Sequence, residues 1–95
     1  MSPAFEHIRQ AKYLLQQLLE SGFLSGRGFE AELLECQESA QILGFSTASN
    51  LLERLSQALT AMRGGQDSFT QASYIYSALT AYYNYITNKL ILETI

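Results

Sequence analysis

The 95-residue chain holds one cysteine, one histidine, one proline and no tryptophan, and each scarcity removes a class of explanation. Cys36 and His7 alone cannot build a structural zinc site of the Cys/His type within one chain, and a lone cysteine gives no disulfide framework. A Ser-His-acid triad would have to use His7, which has only Glu6 beside it in sequence and no glycine-flanked serine elbow. His7 is therefore expected to be an exposed surface histidine. The glycines at 22, 26, 28, 44, 64 and 65 match neither the phosphate-loop pattern nor the dinucleotide fingerprint. No catalytic constellation, metal site or cofactor is expected.

Charge is sparse as well. Charged residues make up 16% of the chain and the formal net charge is -3, which disfavours a protein built to coat nucleic acid or an anionic membrane. A membrane span needs roughly 20 consecutive, mostly apolar residues, whereas the longest aliphatic run near the end is Leu90-Ile91-Leu92. Met1 to Glu6 show no basic cluster followed by an apolar run, so a secretory signal is not expected. The expectation is a cytoplasmic protein, with which a single cysteine agrees.

What is present is apolar periodicity. Hydrophobic residues make up 47% of the chain, enough for one compact domain spanning residues 1–95 without disulfides or metal. They recur at steps of three and four, and no sustained alternation suited to strands interrupts them. The fold class expected is all-α: a single-domain, mostly antiparallel four-helix bundle with a long C-terminal helix.

The first helix is expected from Pro3 to about Ser21, with Ser2 as cap and Pro3 in the first helical position. Its stripe is Ala4, Ile8, Ala11, Leu15 and Leu18, broadened by Phe5, Leu14 and Leu19. Gly22 ends it, and in the glycine-rich connection that follows, Phe23 and Leu24 are expected to tuck under the bundle. The second helix, about 29–43, places Phe29, Leu33, Cys36, Ala40 and Leu43 inward, which makes Cys36 a buried small hydrophobe. Glu32, Glu35 and Glu38 around it are the opposite of what activates a thiol.

Gly44 is placed to stop the second helix in the left-handed conformation, with Phe45 packing back. Ser46 or Ser49 is expected to cap a third helix over about 47–63, whose apolar set is Ala48, Leu51, Leu52, Leu55, Ala58, Leu59 and Met62. Arg63 complements its C-terminal dipole before Gly64-Gly65. Ser68 and Gln71 form a capping-box signature for the fourth helix, about 69–92. At 1.5 Å per residue that helix measures roughly 36 Å against roughly 22 Å for the second, so about two turns project past a neighbour.

On a helical wheel, Ala72, Tyr76, Leu79, Tyr83, Ile86 and Leu90 face the bundle, flanked by Phe69, Ile75 and Tyr82. Roughly opposite lie Tyr74, Ala78, Ala81, Tyr85 and Leu92, where a one-sided helix would carry charge. Lys89 and Glu93 are the only charged residues after Asp67. Small alanines between large tyrosines suit close approach of another helix, and the five residues are the expected partner interface. A two-fold homodimer is the simplest form, and another protein the alternative. Tyr76, Tyr82 and Tyr83 could instead line an interhelical pocket for a small ligand.

Two resemblances are carried by particular segments. Residues 36–52, with Ala40 and Gly44 four apart and Gly44-Phe45-Ser46 followed by Ser49 and Leu51, resemble a helix-turn-helix of the arabinose-regulator type. That resemblance implies a DNA-binding regulator using residues about 36–55. Asn50 and Glu53 depart from its apolar packing positions, and only Arg54 and Arg63 would meet phosphates.

The second covers roughly residues 10–86. Leu18-Leu19-Glu20-Ser21-Gly22, Phe29, Leu33, Ala40-Gln41-Ile42-Leu43-Gly44-Phe45, Leu51-Leu52-Glu53-Arg54-Leu55 and the tyrosine-rich helix are similar to the helical region accompanying SWIM zinc fingers in some bacterial proteins. The finger's Cys-x-Cys and Cys-x-His ligands are absent, so no metal function follows. The resemblance implies a helical accessory or scaffold domain. The function expected is thus non-catalytic: a helical interaction or adaptor module, self-associating through its C-terminal helix.

Overall fold

The computed structural model describes residues 3–21, 29–65 and 69–94, the side chains of Phe29 and Thr94 excepted. Four helices run in order: α1 Pro3–Glu20, α2 Phe29–Ile42, α3 Ser46–Arg63 and α4 Phe69–Thr94. The described residues contain no strand, and no helix is long and apolar enough to cross a membrane. The expected all-α bundle with a long last helix is what the chain forms. Helix ends differ from expectation by one or two residues, and α4, expected to reach about Leu92 or beyond, continues to Thr94. Ser2, Gly22, Phe23, Leu24 and Ser68, to which the sequence assigned caps, a stop and packing roles, lie outside the described residues.

The helices close a ring in which α1 packs on α2 and α4, and α3 packs on α2 and α4. No contact joins α1 to α3 or α2 to α4 across the diagonal at the backbone level. Antiparallel order follows from side chains at both ends. His7 near the start of α1 meets Ser39 near the end of α2 and Tyr83 in the second half of α4. At the other end Arg63, the last residue of α3, forms an ion pair with Glu30 in the first turn of α2. The buried set is one cluster with members from every helix, including Leu18, Leu33, Leu52, Leu55, Leu79 and Tyr83. Some residues expected to face inward are not in it: Leu19 and Phe69 are 55% and 52% exposed, and Ala4, Phe5 and Leu43 are half-buried. Leu19 and Phe69 stand at the margin of their stripe, Leu19 one residue before the last of α1 and Phe69 at the first of α4.

The turn between α2 and α3 explains a further departure from expectation. Gly44 has φ +84°, the left-handed conformation that ends helices. The Phe45 N–H donates to the Ala40 carbonyl at 2.8 Å and the Gly44 N–H to the Gln41 carbonyl at 3.1 Å, the paired bonds of a Schellman motif. Phe45 then packs against the core and also occupies the N-cap of α3, so neither Ser46 nor Ser49 caps that helix through its side chain. One residue serves as the apolar tail of one helix and the first carbonyl of the next, accepting from the Ser49 N–H at 2.9 Å. Burial of the ring decided the position over hydroxyl capping.

Gly44→Ala is expected to lower stability by about 1–2 kcal/mol in urea unfolding, the cost of the left-handed conformation for a residue with a Cβ, since the added Cβ meets no atom within 4 Å. Gly64→Ala is its control. Gly64 has φ -79° and a Cβ there makes only ordinary contact at 3.5 Å, so that change is neutral or slightly stabilising.

Candidate functional site

The outer face of α4 carries the residues singled out from the sequence. Tyr74, Tyr85 and Leu92 are 75%, 64% and 72% exposed. Ala81 is exposed beside them, and Ala78 is half-buried. These positions fall on one side because steps of four, three, four and seven residues nearly close whole helical turns. The opposite side of the same helix gives Ala72, Ile75, Leu79, Tyr83 and Ile86 to the core. From Phe69 to Asn88 the helix carries no charge at all. Lys89 and Glu93 border a shallow cleft, lined also by Phe45, Tyr82, Tyr85 and Leu90, where α4 passes the start of α3.

How far α4 outruns α1 follows from the side-chain pairing. Tyr83 lies level with His7, four residues after the first residue of α1, while eleven residues of α4 follow Tyr83. At 1.5 Å per residue the excess is about 10 Å, close to two turns. Leu90 still packs against the core, whereas Ile91 and Leu92 are exposed.

A second constellation lies inside the bundle and was not foreseen. His7 is 2% exposed, which overturns its expected surface position. On the wheel it belongs with Ala11, Leu14 and Leu18, at steps of four, three and four, on one edge of the buried stripe of α1. Its Nε2 lies 2.9 Å from the Tyr83 hydroxyl and its Nδ1 lies 3.2 Å from the Ser39 hydroxyl. The Phe45 and Tyr83 rings stand over it with centroids at 5.8 and 5.6 Å. The Tyr83 hydroxyl also hydrogen-bonds the Cys36 thiol.

One proton per bond satisfies this set. The Tyr83 hydroxyl donates to the Cys36 sulfur, Nε2–H donates to the Tyr83 oxygen, and the Ser39 hydroxyl donates to Nδ1, an arrangement that keeps the imidazole neutral. No buried side-chain nitrogen or oxygen among the described residues lacks a partner.

Electrostatics keep the set uncharged. Burial holds His7 below its ordinary 6.5. Burial pushes the Cys36 thiol up to about 11, against a smaller downward pull from the Tyr83 hydrogen bond. The Tyr83 phenol is raised well above its usual range, first by burial and then by its neighbours Cys36 and Tyr82. At neutral pH the cluster therefore offers neither a thiolate nor a phenolate. Its geometry joins α1, α2 and α4 through hydrogen bonds and reaches α3 through Phe45. The described residues bring no three of His, Cys, Asp and Glu into metal-binding range.

The three tyrosines considered for a ligand pocket do not line a common one, although the Tyr82 and Tyr83 rings meet edge to face with centroids at 5.8 Å. Tyr83 is in the core, Tyr76 borders a cleft with Lys12, Thr80 and Asn84, and Tyr82 borders the cleft beside Phe45. The buried cluster had one sequence signal, the register of His7 within the apolar stripe. The partners Ser39, Cys36 and Tyr83 lie 32, 29 and 76 residues away, beyond any local pattern. No family model, curated protein or solved structure matches the chain.

Tyr83→Phe leaves the buried Nε2 without a partner and is expected to cost about 1–3 kcal/mol in urea unfolding. Pairing it with His7→Leu removes the orphaned nitrogen and restores part of that loss.

The histidine also sets a pH dependence. Between the lowered folded value and 6.5 the unfolded chain binds a proton that the folded chain excludes. Stability from this group is complete above 6.5 and declines as pH falls below it. The groups facing the ring are Tyr83 from α4, with Cys36 behind it on α2, Ser39 from α2 and Phe45 at the start of α3, none of them charged in that range. The urea midpoint of the wild-type chain is expected to drop between pH 7.5 and 5.5, and His7→Gln to flatten that drop.

Proposed function

We propose that the chain is a non-catalytic helical interaction module that associates with itself through the outer face of α4. The observation carrying this reading is the alignment of exposed Tyr74, Tyr85 and Leu92 with Ala78 and Ala81 along a helix face free of charge from Phe69 to Asn88. Tyrosine supplies large contact area with few rotors, and alanine between tyrosines admits another backbone. A helix that is apolar on two sides is normally covered on two sides, and the bundle covers one. Self-association fits a chain of net charge -3 because this face brings few like charges together.

The DNA-binding alternative has less behind it. A helix-turn-helix crosses its helices at about 90–120°, whereas the Arg63–Glu30 pair ties the far ends of α2 and α3 together as an antiparallel hairpin. Arg63 is thereby engaged with a carboxylate, which leaves Arg54 as the other arginine of α3.

Sedimentation velocity across micromolar to high-micromolar concentrations tests the proposal. The expected result is a mass rising toward that of a dimer, returned to monomer by Tyr85→Glu, with no salt-dependent binding to duplex DNA. A monomer at every concentration, or a dimer indifferent to Tyr85→Glu, rejects it.

A further inference from the structure

The exposed face of α4 has an internal symmetry that selects how a second copy would lie on it; the inference rests on the self-association proposed above. Tyr74 and Tyr85 are equidistant from a point between Leu79 and Thr80, and so are Ala78 and Ala81. From Tyr74 to Tyr85 the face thus reads the same in both directions, tyrosine, alanine, alanine, tyrosine, with Leu92 beyond the symmetric stretch. Further out, Thr70 and Lys89 occupy mirrored positions, and both are exposed.

We infer that two copies pair through antiparallel α4 helices, with the two-fold axis crossing each helix between Leu79 and Thr80. Ala78 of one copy then meets Ala81 of the other, and the backbones approach closely at the centre. On either side Tyr74 of one copy packs against Tyr85 of the other, so each large residue closes against its mirrored counterpart rather than against itself. A two-fold contact must be self-complementary, and a palindromic face satisfies that requirement with no other surface.

Charge discriminates between the two possible directions. A parallel pairing stacks Lys89 on Lys89 and Glu93 on Glu93 of the second copy, which is repulsive at both positions. The antiparallel pairing sets Lys89 opposite the uncharged Thr70 and separates the two lysines by most of the helix length. Self-contact through the outer side of α2 is opposed by the exposed Glu30, Glu32, Glu35 and Glu38.

Area sets the strength. Taking about 200 Å² for an aromatic side chain, Tyr74 and Tyr85 at 75% and 64% exposure offer about 280 Å² between them. A standard interface takes about 800 Å² from each partner. A single helix face with two such anchors falls short of that, which places the dimer in the weak, concentration-dependent class.

Interspin distances at high-micromolar concentration test the register. Nitroxide labels are attached through Ser77→Cys, near the axis, or through Asn88→Cys, far from it; buried Cys36 is protected from the reagent. Each labelled chain is first checked for dimerisation by sedimentation, and Gln71→Cys, the mirrored position of Asn88, replaces any far label that weakens it. Antiparallel pairing separates the two copies of residue 77 by about 8 Å and those of residue 88 by about 26 Å along the helices, so a short distance at Ser77 with a long one at Asn88 is the expected result. Short distances at both sites mean parallel pairing, and long distances at both mean contact elsewhere. Either overturns the inference while dimerisation itself stands. A monomer in sedimentation defeats the self-association reading as well.

Discussion

The hydrogen bond between His7 and Tyr83 is the constraint on which the alignment of the helices depends. Apolar stripes on four helices can be stacked in several registers at similar cost, because sliding one helix by a turn still presents leucine to leucine. A buried imidazole has no such freedom. Its two nitrogens need two partners at fixed directions, and only the register that brings Ser39 to one and Tyr83 to the other avoids an unpaired polar atom in the core. The network adds little to net stability beyond what an apolar pair would give. Its contribution is to make the alternative registers expensive.

The position of that pin decides what remains uncovered. His7 stands close to the start of α1, while Tyr83 stands well inside α4, so the offset between the two leaves the last turns of α4 beyond the end of its neighbour. Phe45 consolidates the same end of the bundle. It closes α2, opens α3 and lies over the His7 ring, coupling a local turn to a contact between distant segments. At the other end the Arg63–Glu30 pair is partly exposed, and such pairs contribute about 0–1 kcal/mol. The two ends are therefore unequal. A polar network closed off from water holds one, and a solvated ion pair marks the other.

Helix order, the Gly44 stop and most of the core were legible in the sequence because each depends on spacing within one segment. Leu52, Leu55 and Leu59 announce their face by period alone, and so do Ile75, Leu79 and Ile86. The exposed tyrosines of α4 were legible for the same reason. The His7 cluster was hidden because residue type was allowed to outweigh register: a histidine is read as polar even when it occupies the apolar stripe. Its partners come from segments far apart in the chain, so the satisfaction of its nitrogens becomes visible only after packing. The Phe45 cap was misjudged by the opposite error, since hydroxyl preference at Ser46 and Ser49 was weighed without the energy of burying a ring on the preceding helix.

Surface composition and core composition are linked through α4. The helix must hold its register against α1 and α3, and it does so with tyrosine, isoleucine and leucine on the inner side. Nothing in that task requires the outer side to be apolar. Charged residues there would raise solubility and improve i,i+4 helix pairing at no cost to the core. The outer faces of α1 and α2 follow that rule, with Glu6, Arg9 and Lys12 on one and four glutamates on the other. The outer face of α4 departs from it over about five turns. Core packing therefore does not call for the tyrosines and alanines exposed there, and the proposed pairing with a second copy would give a surface of that kind its use.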